Sequence, residues 1–89
     1  MPLQDIKEIT IYEVQTLQSK FLDALKESSD IEFDMKTLGK IDLVGVQLLV
    51  SFVKTASDEH KKINFKNIPA NIRQQIEQLN ATKALGLQV

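Results

Sequence analysis

Few side chains in this sequence could carry chemistry, and their spacing limits what that chemistry can be. Asp34 closes one apolar run and Asp42 opens another, so the two carboxylates could stand together at one end of a sheet. Such a pair suits phosphoryl acceptance, but that chemistry also needs a lysine on a later strand loop and a longer, doubly wound chain than these 89 residues. The plainer reading makes Asp42 a helix cap and Asp34 a solvated strand end. His60, the single imidazole, sits in Asp58-Glu59-His60-Lys61-Lys62 and is expected to be a solvated helix-end residue rather than a ligand or proton carrier. Without cysteine there is no thiol nucleophile, disulfide or zinc-thiolate site. Gly39, Gly45 and Gly86 cannot form a phosphate cradle or a dinucleotide fingerprint. The expectation is therefore no enzyme, no cofactor and no metal.

The elements that must position these residues follow from hydrophobic period and capping chemistry. Ile6 to Ile9 reads as a short strand. Thr10 and Glu13 match a capping box, with Ile9 and Val14 as its hydrophobic staple. A helix then runs to about Ser28, with Val14, Leu17, Phe21, Ala24, Leu25 and Ser28 on one stripe and Leu22 on its flank. Ile31 to Met35 is a second strand, and Thr37 to Lys40 a loop. Asp42 caps a second helix from Leu43 to about Glu59. Lys62 to Ile68 alternates at period two and is a third strand. Pro69 suits the first turn of a third helix that ends near Leu79, where Asn80 is a left-handed stop. The tail from Ala81 to Val89 offers Leu85 and Leu87 for docking.

The order β-α-β-α-β-α predicts an α/β fold with a parallel or mixed sheet and helices packed on it. Functional residues of such sheets gather beyond the carboxyl ends of strands, which points to the loop from Thr37 to Gly45. Apolar residues make up 43% of the chain and charged residues 26%, the balance of one ordinary globular domain over residues 1–89. The net charge of −1 gives no general attraction to nucleic acid or anionic membrane. No apolar stretch approaches the roughly 20 residues of a membrane span. The start, Met1-Pro2-Leu3-Gln4-Asp5, lacks the basic and apolar regions of a secretory signal, so the expected location is cytoplasmic.

The second helix is too apolar for a single core-facing stripe. At about 100° per residue, Val46, Leu49, Val50, Val53, Ala56 and Ser57 form one stripe, which is the expected core face. Val44, Leu48, Ser51 and Thr55 fall opposite, and Phe52 lies at the edge. Apolar residues rimmed by Gln47, Ser51 and Thr55 suit a binding patch, or else another helix of the same domain covers them. The candidate partner surface is thus Asp42, Val44, Gly45, Gln47, Leu48, Ser51, Phe52 and Thr55.

The run Ile31-Glu32-Phe33-Asp34-Met35, followed by Ile41-Asp42-Leu43-Val44-Gly45-Val46-Gln47-Leu48-Leu49, resembles the signature of STAS domains, the sulphate-transporter and anti-sigma-factor-antagonist domains. Ile9-Thr10-Ile11-Tyr12 and Ile68-Pro69 through Ile76-Glu77-Gln78-Leu79 are similar to the family's first and last helices. The resemblance implies a single small STAS-like α/β domain that works by protein binding, without cofactor chemistry. It further implies a bacterial regulator akin to an anti-sigma-factor antagonist, acting on transcription through a partner such as an anti-sigma-type serine kinase. The alternatives are a subunit docking on an ABC transporter ATPase and a scaffold in a chemotaxis or sensor complex. In the bacterial antagonists the loop reads Asp-Ser-Ser-Gly and the second Ser is phosphorylated. Asp42 and Gly45 match that loop, but Leu43 and Val44 occupy the two Ser positions, so the usual acceptor is absent. Thr37 and Ser51 are the nearest hydroxyls that could carry a displaced switch.

Overall fold

A computed structural model describes residues 3–87. Seven elements follow in order: β1 (Glu8–Ile9), α1 (Val14–Glu27), β2 (Asp30–Asp34), β3 (Lys40–Ile41), α2 (Leu43–Asp58), β4 (Lys62–Lys66) and α3 (Ala70–Gln78). All strand pairings among the described residues are parallel. β1 pairs with β3, and β2 pairs with β4 so that Ile31 faces Ile63 and Phe33 faces Phe65. The N-terminal segment links the two pairs. Leu3 bridges to Phe33, donating to the Glu32 carbonyl at 2.7 Å and accepting from Asp34 N–H at 2.8 Å, before the chain reaches β1. Asp5, at φ 61°, turns the segment between these two pairings.

The fold class expected from the sequence is the one observed, with one strand more. The additional strand is β3, whose two residues carry no periodicity and whose pairing with β1 is set by tertiary contact. The capping box at Thr10 does not form. Thr10 is buried; its hydroxyl donates to Glu8 Oε1 at 2.6 Å and accepts from Tyr12 N–H at 3.3 Å. Glu13 N–H instead donates to the Thr10 carbonyl at 2.9 Å, closing a turn, and α1 starts only at Val14. Pro69 lies one residue ahead of α3 rather than inside its first turn. β4 stops at Lys66, earlier than expected, because Asn67 takes a left-handed φ of 54°.

Helix ends account for two polar residues singled out in the sequence. Asn80 (φ 57°) follows α3, with its N–H on the Glu77 carbonyl and Ala81 N–H on the Ile76 carbonyl. This pair of backward bonds is a Schellman stop. His60 (φ 60°) does the same for α2, with its N–H on the Ser57 carbonyl and Lys61 N–H on the Ala56 carbonyl. The lone imidazole thus belongs to a left-handed helix terminus.

One apolar core joins α1 (Leu17, Phe21, Ala24, Leu25), β2 (Ile31, Phe33), α2 (Val46, Leu49, Phe52, Ala56), α3 (Ile72, Ile76) and the tail (Ala81, Leu85). Phe21 stacks on Phe52 with ring centroids 4.3 Å apart. The core face of α2 is therefore rotated from the sequence expectation. Phe52, placed at the edge, is only 4% exposed, and Ser57, placed inward, is exposed. Leu48, placed outward, is half-buried against the core, as are Val50 and Val53 on the other side. α2 packs beside α1 and also lies against the segment after α3, so neighbours on both flanks absorb much of its excess apolarity.

Candidate functional site

The first turn of α2 is built around one carboxylate. Asp42 leaves β3 in an extended conformation, and its Oδ1 accepts from Gly45 N–H at 2.8 Å, an N-cap bond that satisfies one orphan donor of the helix. Its Oδ2 accepts from Ile11 N–H at 3.1 Å, across from the turn that follows β1. Its own N–H donates to the Ile9 carbonyl at 3.3 Å. Because β1 and β3 run parallel, their carboxyl ends emerge side by side, and Asp42 bonds the two loops to each other. The bond from Gly45 N–H, then that from Ile11 N–H, holds the Asp42 carboxyl below the ordinary Asp value of 3.8, since both donors favour the charged form.

Gly45 is fixed by contact. A Cβ built there would stand 1.8 Å from the Ile9 carbonyl oxygen and 2.6 Å from its carbon. The helix rests directly on the backbone of β1, an approach that only a residue without a side chain permits.

Asp34, the other carboxylate of the possible pair, is engaged elsewhere. Its Oδ1 accepts from Lys36 N–H at 3.0 Å and from Asn67 Nδ2 at 3.3 Å, and these bonds, the first above all, lower its pKa. The two aspartates share no hydrogen-bond partner, and each closes its own turn. Among the described residues no cluster of three or more His, Asp or Glu is placed to hold a metal ion, and no helix is long and apolar enough to cross a membrane.

Around the Asp42 corner the surface is apolar. Leu43 is 54% exposed and Tyr12 84%, with Ile11 exposed beside it. Val44 is half-buried, and Gln47 and Ser51 are exposed along the outer ridge of α2. Leu48, Ser51, Phe52 and Thr55 form one wall of a groove of about 330 Å³ whose other wall is Gln18, Phe21, Leu22 and Leu25 of α1. On its opposite flank, α2 meets Leu79, Asn80, Ala81 and Ala84 across a second groove. Among the described residues no charged side chain lines either groove. Of the residues read from sequence as a partner surface, Asp42, Val44, Gln47, Leu48, Ser51 and Thr55 reach solvent to some degree. Gly45 and Phe52 are buried and support that surface from beneath. Ile11, Tyr12, Leu22 and Leu43 were missed. Leu43 stands out in the sequence only for the hydroxyl it lacks, Leu22 stands on the flank of the α1 stripe, and Ile11 and Tyr12 precede the helix and carry no periodic signal of exposure.

Removing the Asp42 carboxylate has a defined expected result. Asp42→Ala lowers stability near neutral pH by about 1–2 kcal/mol, through one lost cap and one lost cross-loop bond. Because the folded pKa is depressed, this contribution is fully present above the unfolded value of 3.8 and fades as pH falls through the lower folded value. Urea midpoints of wild type and variant should therefore converge in strong acid, and a gap independent of pH would contradict the assignment.

Comparison with known proteins gives one positive finding. A family model described as "Mlab, STAS domain" matches residues 7–88. Searches of curated proteins and of solved structures return no significant match.

Proposed function

The chain belongs to the STAS domain family, and from that membership we propose that it is a non-enzymatic regulatory module resembling an anti-sigma-factor antagonist. It docks a partner protein through the outer ridge of α2 and the Asp42 corner. STAS domains generally act through protein partners, which supports the class of function. The observation that carries the surface is the apolar first turn of α2. Leu43 is largely exposed and Val44 half-exposed where the antagonists carry serines. An apolar pair at the helix start, with Leu43 lining the groove beside Leu79, favours a desolvated contact. Without an acceptor hydroxyl at 43 or 44, that contact is not broken by phosphate at the usual position.

A second reading, a subunit docking on a transport ATPase, is favoured by the same missing hydroxyl, because a constitutive subunit needs no phosphorylation switch. Pull-down with the tagged chain separates the two: a sigma-regulating kinase in the eluate supports the first, an ABC-type ATPase the second.

The surface itself is tested by Leu43→Glu and Val44→Asp. Charge placed in a desolvated contact should weaken partner binding by about thirtyfold, near 2 kcal/mol, in titration calorimetry. Leu43→Glu should leave stability within about 0.5 kcal/mol, since the residue is exposed and an acid in the first helical turn is favourable. Normal binding by both variants would place the contact elsewhere.

A further inference from the structure

β4 forms the outer edge of its sheet, pairing among the described residues only with β2, and its hydrogen-bond phase is set by its ends. Lys62 N–H donates to the Ser29 carbonyl and the Lys66 carbonyl accepts from Met35 N–H, each at 2.9 Å. With Asp30 opposite Lys62 and Asp34 opposite Lys66 in parallel register, Lys62, Asn64 and Lys66 direct their main-chain groups at β2. Ile63 and Phe65 therefore direct theirs outward, and no described residue supplies a main-chain partner to either. Their side chains are only half-buried, whereas their register partners Ile31 and Phe33 are fully buried, so the apolar layer thins at this edge.

We propose that β4 is a docking edge for an extended segment of a partner protein in which acidic and apolar residues alternate, added as a further strand beside Ile63 and Phe65. Unpaired N–H and C=O groups on an edge supply the bonds for such addition. The charge preference is visible within the fold. β2, on the other side of β4, reads Asp-Ile-Glu-Phe-Asp and sets Asp30 and Asp34 across from Lys62 and Lys66. Glu32 Oε1 accepts from Lys66 Nζ at 2.6 Å. A second copy of the chain fits poorly, because antiparallel pairing about Asn64 sets Lys62 against Lys66 of the other copy, and in-register parallel pairing sets each lysine against itself. None of these β4 residues lines the grooves beside α2, so this edge is independent of the surface proposed above.

The test uses the full chain with nitrogen-15 label and three synthetic peptides. One has the sequence of residues 29–35, one has lysine in place of its acids, and one is the acidic peptide N-methylated at every residue. The acidic peptide is expected to shift the Ile63 and Phe65 amide resonances and slow their hydrogen exchange. The lysine peptide should bind about tenfold more weakly, and the methylated peptide not measurably. Lys62→Glu should reverse the preference between acidic and lysine peptides. If that variant loses amide dispersion and does not fold, the wild-type comparison of the three peptides decides alone. Unchanged Ile63 and Phe65 amides, equal binding by the lysine or methylated peptide, or displacement of β2 from its own ladder would each overturn the proposal.

Discussion

Gly45→Ala is expected to destabilise the free chain by about 3 kcal/mol or more, read as a large drop in urea midpoint. Intrinsic helix propensity pulls the other way, since alanine is better than glycine inside a helix by about 1 kcal/mol. Geometry decides which effect wins. The added methyl would stand 1.8 Å from the Ile9 carbonyl oxygen, and that oxygen belongs to a paired strand rather than to a flexible side chain. Relief requires lifting the first turn of α2 off β1. Such a shift strains the bonds from Gly45 N–H and Ile11 N–H to Asp42 and from Asp42 N–H to the Ile9 carbonyl. Partner binding should fall along with stability, because the same turn presents Leu43 and Val44. A variant more stable than wild type would mean that α2 does not sit this close to β1.

Leu49→Ala is the second large effect, at about 2–5 kcal/mol, the range for truncating a fully buried leucine. Leu49 is 0% exposed and lies in the core that α2 shares with the strands and helices around it. A chain of this length has roughly 4–13 kcal/mol of stability in all, so the variant should be partly or wholly unfolded at moderate urea. Phe52→Ala should cost about 3–5 kcal/mol, since Phe52 stacks on Phe21 beneath the α1–α2 groove. Ser57→Ala should change little, because the residue is exposed. Together the three fix the rotation of α2. A mild Phe52→Ala with a costly Ser57→Ala would restore the phase expected from periodicity.

How far the sequence could be read depended on whether the deciding interactions were local. The Asp42 cap was legible because capping involves only the next three residues, and the Asn80 stop for the same reason. Thr10 also has the local pattern of a cap, yet its hydroxyl bonds to Glu8 at the start of β1, a competition the pattern does not encode. β3 escaped notice because two residues hold no period and its partner lies a helix and a strand away. The rotation of α2 was misjudged because an apolar stripe is a simple guide only for a helix with one packed face. With α1 on one flank and the post-α3 segment on the other, the inward side had to be found from Phe52 and Gly45. The candidate site was half legible: its position at the Asp42 loop followed from strand order and from the family resemblance. Its apolar rim of Ile11, Tyr12, Leu22 and Leu43 was not, since the exposure of each depends on how distant elements meet.

Each strand ladder described here joins segments that are not neighbours in sequence: β1 with β3, β2 with β4, and Leu3 with β2. Among the described residues no β-hairpin is available to nucleate folding, so loop-closure entropy must be met before these strand pairs form, and refolding on the order of milliseconds or slower is expected despite the small size. During synthesis β2 leaves the ribosome well before β4 exists and must wait through the whole of α2 for that partner. Asp30, Glu32 and Asp34, which face outward in the finished sheet, put a charge at every second residue of the waiting strand and so discourage it from pairing with other nascent chains.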